Sequence, residues 1–559
     1  MKKILNIIMV LGVAAVVATS CQKFLDVNKN PNVPTKAELN KLLTFAQSQT
    51  TYAVSPDGNY LTGMFSVFVH HMTVRESPNQ YGLTPGNNVG IGNFWNLVYS
   101  YALPTYEQII TTAEEEKNFH YTGISKVMKA YTYMAMVDMF GDVPFSQASD
   151  PVEFPYPQVD DGAAIYNACF ALLKDAKGDL ATTTADGNNS LRPGSADIIY
   201  NGDVDKWIAL ANSLMFRMLN NTKQVKSQIT GWSDLLTEAI AGPRIDTDSE
   251  FELLGTTTES PEDERFRGFA RCYGVGQHTA YVSPWIYEIM KGYTNYNYPD
   301  NPLGGIVDPR IPYYFFNQSK SDGEAGGYQL SYRDGGFITI LFGDRSGREG
   351  ASITNYASAW GLYPAGGIYD NGEGNEGAVT KKDVGTQGAG IQKIYTYSDM
   401  LYEEAEMILA GEMAGDAKAK LGEAIDATFA HLNKYCKGKG GAPANGIESD
   451  AITTYKDAVL AKYDAANASE KLEHVMLQKW LHDVFNSLEA YNAYRRTGFP
   501  KLFDANTPGY GIDPSTGEER STVCANAYPY SMWYPQGEID RNKSMAQKQN
   551  QQVKPFWVQ

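Results

Sequence analysis

Apolar residues recur at helical spacing over much of the chain. The most regular run extends from Ser469 to Leu502, where Leu477, Leu481, Val484, Leu488 and Tyr491 advance by four and three residues and so share one side of a 3.6-residue turn. Ser469 at the start, Arg495 and Arg496 near the end, and Gly498 followed by Pro500 predict one long helix with defined ends. Thr35 and Glu38 have the spacing of a capping box ahead of Leu39, Leu42, Leu43 and Ala46. A further helix carries Ile124, Val127, Met128, Tyr131, Ala135 and Asp138, and Gly141 and Pro144 must stop it. Two more run through Ile165, Cys169, Leu172 and Ala176, and through Trp207, Leu210, Ala211, Leu214 and Met218.

Between about residues 243 and 390 this periodicity disappears. Gly, Tyr, Asn, Asp and Pro dominate, and only short alternating pieces such as FITILF read as strands. Helices resume with SDMLYEEAEMILAG and LGEAIDATFAHL before the long helix, and the tail after Phe503 is again loop-like. The expected architecture is mainly α: helices stacked in pairs as a solenoid-like body, carrying a large irregular part, although no clean 34-residue period is present. Irregular segments of this length inside a compact protein are more often functional than ornamental.

The amino-terminal pattern is of another kind. Lys2 and Lys3 precede a mostly apolar run from Ile4 to Ala18, then Thr19, Ser20 and Cys21, which fits a secretory leader processed as a lipoprotein with Cys21 acylated. This divides the chain into a leader over 1–20, an anchor and tether over 21–34, and one domain over 35–559, with its helical scaffold at about 35–240 and 395–503 and its loop-rich part at about 243–390. No later run is long and apolar enough to span a bilayer. Cys169, Cys272, Cys436 and Cys524 lack paired spacing and read as buried thiols, with one or two disulfides as the alternative.

With 559 residues, 43% of them apolar, the chain can bury a large core. Its net charge of −17 repels phosphate backbones, so no nucleic-acid partner is expected. No H-E-x-x-H, G-x-S-x-G or Walker sequence is present, and Gly372, Gly374 and Gly377 match G-x-G-x-x-G only within a Gly-rich loop. His474 and His482 are two turns apart, too far for a helical metal pair, so neither a metal nor a cofactor is expected. Glu403, Glu404 and Glu406 read as a solvated helical face. Among 64 acidic side chains an unrecognised pair could still flank a glycosidic bond, which keeps a surface glycoside hydrolase as the alternative. The irregular stretches are rich in rings: Tyr81, Trp95, Trp285, Tyr293, Tyr296, Tyr298, Trp360 and Tyr363. Such rings can face a sugar or peptide, or can pack the loops themselves.

Five segments in order carry a family resemblance. Cys21 with FLDVNKNPNVP, AYTYMAMVDMFGDVPF, SDMLYEEAEMIL, LQKWLHDVFNSLEAYNAYRRTGFP and YPQGEIDRN together resemble the SusD/RagB-type nutrient-binding outer-membrane lipoproteins of Bacteroidetes. The resemblance implies four tetratricopeptide-like helix pairs as scaffold, an irregular part holding the ligand site, and no enzymatic activity. It also implies a surface-exposed lipid anchor in the outer membrane and a SusC-like TonB-dependent transporter as partner, which the protein covers as a lid while capturing oligosaccharides or peptides. Gln22 and Lys23 stand where members often carry an acidic export signal. On this reading Trp480, His482 and Glu489 belong to the scaffold. The candidate ligand contacts are Trp95 and Asn96, which loosely match the family's positions, together with Trp285, Tyr296, Trp360 and Tyr363 from the aromatic content of the loops.

Overall fold

Helices form where the apolar period predicts them, and the ends are set by local chemistry. The computed structural model describes residues 37–55, 61–73, 81, 90–274, 281–294, 298, 300–320, 332–344, 353–502 and 527–559; Cys21, Thr35, Tyr296 and Cys524 lie outside these residues. Helix α1, Leu39–Ala53, buries Leu39, Leu43 and Ala46, with Glu38 at its N-cap. After α2, Leu61–Phe68, helix α3, Ile91–Asn96, passes through a π-helical turn at Leu97–Ala102 into α4, Leu103–Glu115. Helix α5, Phe119–Phe140, is buried on almost every side and stops at Gly141, whose φ of +76° is accessible to glycine at little cost. Helix α6, Gly162–Ala181, is capped by Asp161, and α7, Val204–Thr222, by Asp203. Helix α8 spans Trp232–Ala241.

Neighbouring helices pack in pairs: α4 on α5, α5 on α6, α6 on α7, α7 on α8. The α5–α6 crossing is tight because Gly123 has no side chain: a Cβ there would stand 2.6 Å from Leu180 Cγ and 2.9 Å from the Ala176 carbonyl oxygen.

The irregular part begins and ends on one ribbon. Strand β1, Phe251–Leu254, pairs antiparallel with β2, Ile391–Tyr395, through a register shift between Lys393 and Tyr395. Between them lie short ladders, including a hairpin of Tyr332–Asp334 with Phe337–Thr339 from the FITILF segment, and the short helix α9, Pro284–Met290.

Beyond the ribbon follow α10, Tyr397–Leu409, with a Thr396–Asp399 capping box; α11, Ala417–Cys436; α12, Ser449–Ala465; α13, Ala468–His482; and α14, Ser487–Thr497. Helices α10 and α11 pair, as do α12 and α13, and α10 also meets α7, joining the two stretches of scaffold. The fold is therefore mainly α, of tetratricopeptide-like helix pairs with small sheets.

Two expectations change here. The single helix from Ser469 is two helices. Asn467, with Glu470, forms the capping box, and the chain breaks after His482 where Phe485 takes a φ of +65°. Packing explains the break: the Phe485 ring stands perpendicular to Phe266 at 5.5 Å and close to Trp360 at 5.3 Å, contacts that a continuous helix would give up. The C-terminal stop is as expected, with Gly498 at φ +76°.

The acidic face of α10 is not solvated. Glu403, Glu404 and Glu406 are 0%, 4% and 0% exposed. Arg217 Nε donates to Glu403 at 2.9 Å, Arg244 to Glu404 at 2.6 Å, and both Lys223, at 2.6 Å, and Arg496, at 2.7 Å, to Glu406. Lys479, also fully buried, meets Asp399 at 3.0 Å, Asp483 at 2.9 Å and Glu489 at 3.3 Å. Buried carboxylates survive because each has a cation within reach. Cys169 and Cys436 are buried free thiols, and Cys272 is buried as well.

Candidate functional site

The rings of the irregular part assemble into a core of their own. Trp285 lies 4.2 Å from the Tyr298 ring, and Tyr287 stacks on Phe337 at 3.7 Å and 7°. Tyr287 and Tyr293 both donate to Asp334 Oδ2, at 2.8 and 2.7 Å. Trp360 sits between Phe315 and Phe485, and its carbonyl accepts from Tyr273 at 2.7 Å. Tyr363 stacks on Tyr314 at 5.7 Å.

Burial corrects the reading of these rings as ligand platforms. Trp285 is 2% exposed and both Trp360 and Tyr363 are 0% exposed, because the ladders here are only two or three residues long and the loops rely on ring packing for cohesion. Trp95, on α3, is also enclosed, with Phe140 perpendicular at 5.2 Å and Tyr99 at 4.7 Å. Asn96, the next residue, is exposed. Tyr296 lies outside the described residues. The structure thus brings Trp95 and Asn96 together at one helix end, and Trp360 and Tyr363 together in the loop core, but it does not gather the five described candidates at one surface.

A cleft of roughly 840 Å³ opens elsewhere, between α1, the turn before α7, the edge of β1 and residues 263–267. Tyr52, Lys206, Glu250, Glu252, Arg265 and Gln392 are among its walls. Arg267 covers the Tyr52 ring at 5.0 Å. Strand alternation explains the acidic wall: Phe251 points into the core beside Tyr131, so Glu250 and Glu252 both point the other way. Helix α11 brings His431 to them, with Nε2 2.8 Å from Glu252 Oε2 and 3.7 Å from Glu250 Oε2. His431 Nδ1 lies 2.8 Å from the Tyr363 hydroxyl, and Tyr435 donates to Glu252 Oε1.

This grouping sets the two carboxyls apart. Burial raises the Glu250 pKa, only partly offset by His431. Burial is the largest single influence and works against ionised Glu252, but His431, Tyr435 and Lys434 together outweigh it and the Glu252 pKa falls. Sequence reasoning missed these residues because 250, 252 and 431 are far apart. The available signals were the E-F-E alternation at 250–252 and the i, i+3, i+4 spacing of His431, Lys434 and Tyr435 on one helical face.

Among the described residues, no helix is long and apolar enough to cross a membrane. No curated protein matches the chain. Solved structures do. A chitin-binding protein superposes with a TM-score of 0.62 at 21% identity, covering 90% of this chain and 94% of its own. A chitin-binding SusD homolog from Flavobacterium johnsoniae gives 0.62 at 18% identity, covering 92% and 98%. A SusD/RagB family protein from Bacteroides thetaiotaomicron gives 0.62 at 16% identity, covering 91% and 95%. At these identities the structures establish the fold alone. The family model described as starch-binding and associating with the outer membrane matches residues 31–516. The chain, with its paired helices and one long irregular segment held on a two-stranded ribbon, belongs to that SusD-like family of outer-membrane-associated binding proteins.

Proposed function

We propose that the protein is a cell-surface nutrient-binding lipoprotein that captures oligosaccharides, or else peptides, and delivers them to a SusC-like TonB-dependent transporter, acting as its lid. The observation that carries this reading is the match to a starch-binding, outer-membrane-associating family over residues 31–516. The chitin-binding character of two structural relatives adds weight to a glycan ligand. In this reading residues 1–20 are removed, acylated Cys21 anchors the chain, residues 21–34 form the tether, and 35–559 act as one binding unit. Asn96, exposed beside Trp95, and Tyr296 remain the proposed ligand contacts. The protein binds without turnover.

The test is calorimetry of the protein with starch- and chitin-derived oligosaccharides and with a peptide mixture, followed by mass spectrometry of the ligand. Heat of binding with the ligand recovered intact is expected. Cleaved product, lost on changing one carboxylate, would replace this reading with a surface glycoside hydrolase. Co-purification of a TonB-dependent barrel from outer membranes tests the partner.

A further inference from the structure

Glu250, Glu252 and His431, none of them among the proposed ligand contacts, are arranged as a set. We propose that they form a binding site for a divalent transition-metal ion, with zinc the ion their donors fit best. One donor atom from each residue lies within 4.8 Å of the other two. One imidazole with two carboxylates, a fourth position left open, is a donor set that suits zinc, whereas calcium and magnesium take oxygen ligands.

The surroundings of the set are built as well. Nε2 of His431 hydrogen-bonds Glu252 in the metal-free site; on metal binding the proton would sit on Nδ1, which can donate to the Tyr363 oxygen at 2.8 Å, and the Nε2 lone pair would turn to the ion. Tyr435 holds Glu252 through Oε1, leaving Oε2 toward His431. Charge points the same way. The two carboxylate side chains are only 6% and 9% exposed; Lys434, half exposed, stands 3.4 and 3.9 Å away, and the ammonium of Lys393, the cross-strand partner of Glu252, is turned to the His482 carbonyl. Glu250 and Glu252 also line the cleft, which supplies an entry path and room for a water on the open position. A second grouping, Asp399, His482 and Asp483, shows the contrast: there the Lys479 ammonium already lies 3.0 and 2.9 Å from the two carboxylates and takes the place of a cation.

The experiment is titration of the chelator-stripped full chain with zinc chloride, by calorimetry and by competition with a chromophoric chelator. One equivalent of zinc should bind, with calcium and magnesium chloride failing to displace it. His431→Gln and Glu252→Gln should each weaken binding at least about tenfold, and Tyr363→Phe by about tenfold through the imidazole it orients. Circular dichroism of the metal-free variants separates loss of ligand from loss of fold. X-ray absorption of the zinc-loaded parent needs no variant and should read one imidazole among oxygen neighbours. No zinc uptake, uptake unchanged in both ligand variants, or a shell containing sulfur or several imidazoles would overturn the assignment.

Discussion

Lys479 Nζ lies 3.0 Å from Asp399 Oδ1, with neither side chain exposed to solvent at all. The same ammonium also serves Asp483 and Glu489, so one cation holds three buried carboxylates. Lys479→Met should lower stability by about 3–5 kcal/mol, because the carboxylates then stay buried without it. Urea denaturation would read this as a lower midpoint with an unchanged slope.

Trp360 and Trp285 act as core side chains. Trp360→Ala and Trp285→Ala should each cost about 3–5 kcal/mol and lower the melting temperature, as loss of a large buried ring does. An unchanged melt with weakened glycan binding would instead return these rings to a ligand surface.

The α5–α6 crossing depends on an absent side chain. Gly123→Leu must displace Leu180 or the backbone at Ala176, and should destabilise by at least about 1–3 kcal/mol. Gly178, on α6 but with open space where its Cβ would stand, gives a matched control: Gly178→Ala should be neutral or stabilising in the same melt.

Acid should weaken the fold through its buried histidines. Burial holds the pKa of His70 and of His71 down to about 3, and His71 Nε2–H donates to the Trp480 carbonyl at 3.0 Å. Each is neutral when folded but gains a proton below about 6.5 when unfolded, so its stabilising term is present above that pH and is lost as pH falls toward 3. Between pH 7 and 5 each should remove about 2 kcal/mol. His71→Gln should flatten the stability-against-pH curve by that amount, whatever it does to stability at pH 7.

Much of the scaffold is legible in the sequence because burial there follows one periodic face, as in α1 and α6. Helix α12 is harder to see: its buried side chains are Tyr455, Val459 and Tyr463, a single row, with Ile452 and Leu460 only partly buried beside it. The break between α13 and α14 is hidden because Val484 continues the apolar stripe across it, while its cause, the Phe485 ring beside Trp360, lies in tertiary contact. The acidic side chains of α10 mislead for a related reason, since nothing local announces that Arg217 or Arg496 will reach them. In the irregular part, Gly- and Tyr-rich composition reads as exposed loop, although loops tied only by short ladders need their rings inside. The carboxylate and imidazole donors beside the cleft required both a strand and a helix to meet.

The charge pairs on α10 also bear on the order in which the chain can finish folding. Arg217 precedes Glu403 by 186 positions, and Lys223 precedes Glu406 by 183. During synthesis or export the amino-terminal helices therefore emerge with their cations still lacking these carboxylates, and must keep them hydrated. Final closure of α7 waits for the arrival of α10, and Glu406 waits longer still, for Arg496. A chain that ends before α10 thus leaves the Arg217 and Lys223 cations without these two carboxylates.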